Sequence, residues 1–315
     1  MNTEKVALDW KLIWAFAAVY ILWGSTYLGI YYAIQTWPPF ILGGTRFLVV
    51  GITIYIYTHI IKKERFEKDL WRFGLISGFL LFFIGNGAVI LAEKYVPSGL
   101  VSIIASTVPF WILVLDHRAG KNRFNNILTW VGLGLGFFGV ILLFAGRTKV
   151  TGMDPRVIWS YILLGFGTVC WTLGTLYSKY HPVPGSTLAK VCVQMTTAGL
   201  VFILVAAVKG EFYTFSFRQI DTSSWIAIWY LILFGSLIGY FCYMWLLTRV
   251  SSNALGTYAY VNPVVAVLLG SLIAGEKIDT LEYLALLLIL GGLLLIYSSK
   301  KRIYTFNGFK KSLFR

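Results

Sequence analysis

Apolar stretches of about twenty residues recur along the whole chain, and no other feature limits its fold as tightly. They run at about 12–34, 40–60, 71–92, 97–115, 127–145, 157–178, 188–208, 223–247, 253–274 and 281–299. A helix needs roughly 20 apolar residues to cross the hydrocarbon of a bilayer. Only helices and closed barrels satisfy their own backbone there. The expected fold is therefore all-α, a polytopic membrane protein of ten transmembrane helices. Composition agrees, with 58% of the 315 residues hydrophobic and 13% charged, against about 25% charged in soluble domains. The remaining loops and tails leave too little chain for a soluble catalytic or DNA-binding domain. The first stretch runs through Trp23, Tyr27, Tyr31 and Tyr32 without a small-residue cleavage site, so it is expected to be a retained span and not a signal peptide.

The net charge of +14 suggests nucleic acid until its placement is considered. The basic residues sit in short runs between apolar segments, above all Lys62-Lys63-Glu64-Arg65 and Lys300-Lys301-Arg302. With the N-terminus inside, 19 of the 27 Lys and Arg fall on the cytoplasmic side and seven on the other, Arg46 lying within a span. That is the positive-inside pattern. It predicts an integral protein of the plasma membrane with both termini cytoplasmic, the 209–222 loop outside and a basic cytoplasmic tail at 300–315. Trp10, Trp14, Trp37, Trp71, Trp159 and Trp225 fall near span ends, as an aromatic belt does.

The two halves of the chain resemble one another. Trp23/Trp171, Arg46/Gln194 and Gly51/Gly199 are 148 apart, while Trp71/Trp225, Gly85/Gly239, Val96/Val250, Ala105/Ala259 and Pro109/Pro263 are 154 apart. Residues 12–145 and 157–299 thus read as two repeats of five spans each. Five is odd, so the second repeat enters the membrane from the opposite side. Inverted repeats of this kind typify alternating-access transporters.

Trp23-Gly-Ser-Thr-Tyr, Trp37-Pro-Pro with Arg46-Phe47, and Val96-Pro-Ser-Gly through Pro109 resemble the EamA-type branch of the drug/metabolite transporter superfamily. So do Ser251-Ser-Asn-Ala through Tyr258-Ala-Tyr-Val-Asn-Pro263 and Gly275-Glu276. The likeness is nearest to its YedA-type members and spans nearly the whole chain. It implies ten helices, a central cavity, and secondary transport, often export, of amino acids or other small metabolites.

The chemistry inside the spans is sparse. All thirteen carboxylates and three histidines fall in tails, loops or span ends, whereas proton relays use buried ones near the midplane. Neither a phosphate-binding loop, a Ser/His/Asp set nor a zinc-binding His helix is present, and Cys170, Cys192 and Cys242 form no metal-binding pair. No cofactor, metal or catalytic residue is expected, and the chain is not expected to be an enzyme. Gly134-Leu-Gly136-Phe-Phe-Gly139 matches a dinucleotide fingerprint in form only, since no strand precedes it; close helix packing explains such glycines better. Glu93, at the end of the third span, is the nearest group that could titrate with a transport cycle. Facilitated diffusion or exchange is therefore expected over tight proton coupling.

Arg46 has two readings. A cation costs roughly 2.5–3.5 kcal/mol at a helix centre, so it either binds an anionic part of a substrate in a cavity or snorkels to a helix end. Trp23 and Trp171 lie mid-helix, where they wall a cavity from opposite sides or simply pack a core; Ser25, Thr26 and Thr172 beside them favour the cavity. The substrate-binding candidates are Trp23, Thr26, Arg46, Asn86, Ser106, Trp171, Gln194, Tyr240, Tyr258 and Asn262. Gly85, Pro109, Gly239 and Pro263 are candidate hinge or packing positions, the prolines marking either a substrate site or plain kinks. The expected function is a secondary transporter, exporter or facilitator, of a small organic metabolite such as an amino acid. Its expected partners are that small-molecule substrate and membrane lipid, with no nucleic acid, as a monomer or homodimer. A channel-like or receptor protein is the first alternative, and an intramembrane enzyme the second.

Overall fold

The protein is described by a computed structural model covering residues 10–116, 127–150, 154–250, 255–275, 277, 279–281, 283–292 and 294–295. The basic tail at 300–315, the Ser251-Ser-Asn-Ala run, Glu276 and the side chain of Tyr260 lie outside the described residues. Seven helices are long and apolar enough to cross a membrane: α1 (Trp10–Ala33), α2 (Pro39–Ile61), α3 (Lys68–Ala92), α4 (Ser98–Leu115), α6 (Pro155–Tyr180), α7 (Thr187–Val208) and α8 (Thr222–Leu247). Between and after them come α5 (Ile127–Val150), α9 (Tyr258–Ala274) and the shorter apolar α10 (Tyr283–Gly292). No strand occurs among the described residues.

Large apolar side chains lie on both the buried and the exposed faces of these helices. Leu204, Leu268 and Leu272 are among the large exposed apolar side chains, as expected where the solvent is lipid. Leu70, Phe73, Phe47, Val193 and Phe202 form part of the main core.

The central pair is α2 against α7. Around it, α3 packs on α7 and α8 on α2; α3 packs on α6 and α8 on α1; α9 packs on α1 and α4 on α6. Each contact in one member of these pairs becomes the other when helix numbers are exchanged by five. The same exchange holds for caps. The Glu64 carboxylate, beyond the end of α2, accepts hydrogen bonds from the Ser186 N–H (2.6 Å) and hydroxyl (2.8 Å) at the start of α7. Glu211, beyond the end of α7, accepts from the N–H groups of Phe40 (3.0 Å) and Ile41 (2.9 Å) at the start of α2. Helix N-termini leave unsatisfied donors and a partial positive charge, so each central helix is capped by the segment following its partner.

Helix irregularities also recur in register. A π-helical stretch spans Phe79–Asn86 in α3 and Leu231–Gly239 in α8, close to the 154-residue offset. The prolines behave differently. Pro109 follows a turn at residues 106–107 that divides α4 into Ser98–Ala105 and Val108–Leu115. Pro263 sits inside an unbroken α9, and the turn in that repeat falls earlier, at residues 256–257.

Candidate functional site

Stripes on several helices converge on one cavity. On α1, Trp23, Thr26, Tyr27 and Ile30 line it, spaced i, i+3, i+4, i+7 along one helix face. Facing them are Phe82, Asn86 and Val89 of α3, Thr168 and Trp171 of α6, and Gly235, Ser236 and Tyr240 of α8. Ala105 and Val108 of α4, Tyr258 and Asn262 of α9, and Arg46 of α2 complete the lining. The free space is about 80 Å³. One water needs about 10–15 Å³, and a pocket for a drug-sized ligand roughly 300–1,000 Å³. This conformation therefore has room for a few waters, and a larger solute must spread the walls.

Aromatic rings cause the narrowness. The ring centroids of Trp23 and Trp171 lie 5.5 Å apart at 80°, so the two tryptophans meet edge to face and do not stand on opposite walls as expected. Tyr243 (4.8 Å) and Tyr258 (5.4 Å) also contact Trp23, and Phe82 packs on Tyr240 at 4.6 Å. The Trp23 indole N–H donates to the Gly235 carbonyl at 3.1 Å, within the π-helical stretch of α8. Gly239 gives that ring its place: a Cβ there would lie 2.8 Å from the Trp23 Nε1. Its repeat mate Gly85 stands in the same relation to Trp171, with a Cβ 3.2 Å from Cε3.

Arg46 is 3% exposed, so it does not reach a helix end to snorkel. Its Nε donates to the Ser236 hydroxyl at 2.7 Å and a terminal nitrogen donates to Asn86 Oδ1 at 3.4 Å. The guanidinium carbon lies 5.1 Å from the Phe47 ring centroid. A guanidinium offers five N–H donors, and these two hydrogen bonds leave it further capacity toward the cavity it lines. Glu93, just beyond α3, is 5% exposed and not a solvated span end.

Gln194, the repeat mate of Arg46, lies behind the cavity wall. It accepts a hydrogen bond from the Tyr240 hydroxyl at 2.8 Å and donates to the Ser77 (2.8 Å) and Ser178 (3.1 Å) hydroxyls. Its role is to fix Tyr240. The Arg46–Asn86 and Gln194–Tyr240 pairs are counterparts under the 148 and 154 offsets. Ser106 is also outside the lining, its hydroxyl donating to the Ile103 carbonyl at 2.6 Å beside the turn in α4. Asn262 lines the cavity while its amide, with nitrogen turned inward, donates to the carbonyls of Tyr20 (3.0 Å) and Tyr258 (3.1 Å).

The cavity thus unites Trp23, Thr26, Arg46, Asn86, Trp171, Tyr240, Tyr258 and Asn262. Reasoning from sequence missed Tyr27, Phe82, Thr168 and Ser236. The i, i+3, i+4, i+7 stripe through Trp23 and the four-residue step from Ser236 to Tyr240 were the signals that could have found them. Among the described residues no group of three or more His, Cys, Asp or Glu is placed to hold a metal.

Membrane-length helices around a buried cavity of aromatic, polar and cationic side chains define an integral membrane protein with an internal site. The chain belongs to the EamA-like transporter family, which matches residues 9–145 and again residues 158–298. It is 36% identical over 293 residues to the uncharacterized inner membrane transporter YedA of Escherichia coli (strain K12), covering 92% of this chain and 91% of that one. It is 28% identical over 295 residues to the uncharacterized transporter YvbV of Bacillus subtilis (strain 168), covering 90% and 91%. A probable amino-acid metabolite efflux pump of Escherichia coli (strain K12) is 21% identical over 281 residues, covering 87% and 91%. A solved crystal structure shares the fold with a TM-score of 0.66 at 19% identity, covering 93% of this chain and 98% of that one.

Proposed function

We propose that this protein is a secondary transporter of a small organic solute bearing an anionic group, working by alternating access around the Arg46 cavity. The solute's carboxylate or similar group pairs with Arg46, and its apolar part lies against the touching Trp23 and Trp171 rings once the walls have spread to admit it. The likeness to a probable amino-acid metabolite efflux pump supports an amino acid or related metabolite as the cargo. The exchange of helix contacts and caps between halves supports ten spans in two inverted five-helix repeats. The 19-to-7 distribution of Lys and Arg and the inner-membrane relative support a plasma-membrane location with both termini cytoplasmic.

One observation carries this reading: a buried cation directed into an aromatic cavity. Such a charge is costly in a membrane and marks a substrate pathway by default. A screen of small metabolites for thermal stabilisation of the purified protein identifies the solute, because a ligand of the folded state raises its stability by mass action. Transport of that solute is then measured in proteoliposomes. Arg46→Gln is expected to lower transport at least tenfold while the folded fraction stays near wild type. Normal transport with a lower unfolding midpoint would make Arg46 a packing residue. Counterflow of labelled solute, expected here, separates a carrier from a channel.

A further inference from the structure

We propose that a cationic groove at the membrane face where α2 and α6 begin, and α3 and α7 end, holds the headgroup of an anionic phospholipid. The groove encloses about 480 Å³ and is lined by Lys94, Arg156 and Lys209 together with Trp159, Leu163 and Glu211. The three cations come from three segments: Lys94 beyond α3, Arg156 in the first turn of α6, and Lys209 at the end of α7. They are three of only seven Lys and Arg on the sparsely basic face of the molecule. Their convergence leaves like charges around one space, a repulsion that a bound phosphate group relieves.

Among the described lining residues one carboxylate, Glu211, offsets only part of this charge. Glu211 accepts hydrogen bonds from the Phe40 and Ile41 N–H groups and so faces the N-terminus of α2. Arg156 is held over the Tyr95 ring, its guanidinium carbon 5.9 Å from the centroid. Below the cations the lining turns apolar. Trp159 is 68% exposed and Leu163 lies one helical turn further along α6, a surface suited to the start of an acyl chain. A free inorganic anion has no use for that apolar floor, whereas a phospholipid matches both parts. Basic pockets between transmembrane helices recognise lipid headgroups in this way.

The test uses the full chain purified in neutral detergent. Its unfolding midpoint and lipid adducts in native mass spectrometry are followed with added phosphatidylglycerol, with phosphatidylcholine of the same acyl chains, and with inorganic phosphate. Phosphatidylglycerol alone is expected to raise the midpoint and remain bound. Replacing Lys94, Arg156 and Lys209 by Gln is expected to weaken its retention by about fivefold per residue, while Lys62→Gln with Lys63→Gln and Arg65→Gln leaves it unchanged. If the triple variant does not fold, Arg156→Gln and Lys209→Gln are measured singly and each is expected to show its share of the loss. Equal effects of the two lipids, an equal effect of phosphate alone, or equal losses in the two sets of variants would overturn the proposal.

Discussion

At Gly239 the missing side chain decides where an indole sits. Gly239→Ala would place a Cβ 2.8 Å from the Trp23 Nε1, so the ring must move and its bond to the Gly235 carbonyl is lost. Overpacking of this kind costs about 1–3 kcal/mol. Gly85→Ala, with 3.2 Å to Trp171, should cost less. Unfolding midpoints and transport rates of the two variants check this, and an equal loss in both would show that the ring contacts do not matter. The residue types of the site were legible in the sequence, because an arginine and two tryptophans in mid-span stand out against an apolar background. Their orientation was legible only in part. Lipid is as apolar as a protein core, so hydrophobicity does not say which face of a span looks inward. Gln194 therefore looked like a lining residue although it lies one layer behind Tyr240, and Ser236 passed unnoticed although it holds Arg46. Nor could sequence show that the two tryptophans touch, since repeat symmetry fixes their equivalence and not their separation.

Among the helices, the informative pair is α2 with α7 and the two carboxylates that cap them. Glu64 lies in a loop and Glu211 opens a one-turn helix, Glu211–Thr214, and in neither place does a sequence show which distant helix the carboxylate reaches. Glu211→Gln keeps an acceptor but removes the charge at the start of α2, and the expected loss is about 1 kcal/mol, the usual scale for an anion at a helix N-terminus. Glu64→Gln should act in the same direction at α7. Chemical unfolding of each variant measures the effect; no change in either would mean that water satisfies these N–H groups as well. Seven of the ten expected spans, all but those at 127–145, 253–274 and 281–299, were readable from runs of apolar residues as membrane-length helices. The π-helical stretches of α3 and α8 were not, since apolar runs carry no mark of a local change in helix hydrogen bonding. Pro109 did signal the interruption of α4, and Pro263, of the same residue type, left α9 intact.

For the whole molecule, energy coupling turns on Glu93. The sequence placed it at a span end, and the fold buries it there. Transport driven by the solute's own gradient predicts that, in proteoliposomes without a solute gradient, an imposed pH gradient does not concentrate a solute that does not titrate. Accumulation that vanishes in Glu93→Gln would instead make that carboxylate the proton carrier. The matching helix contacts of the two halves have a counterpart in the sequence, in paired tryptophans, glycines and prolines at fixed offsets. The exchanged caps add something those offsets did not contain. Each half of the chain supplies the carboxylate that caps the other half's central helix, so each half is expected to fold fully only beside the other. A chain severed between residues 150 and 154 should behave as a complementation pair: the two fragments made together recover transport, and either one made alone is degraded. Survival of a lone fragment as a stable monomer would mean that each half can finish its own helix.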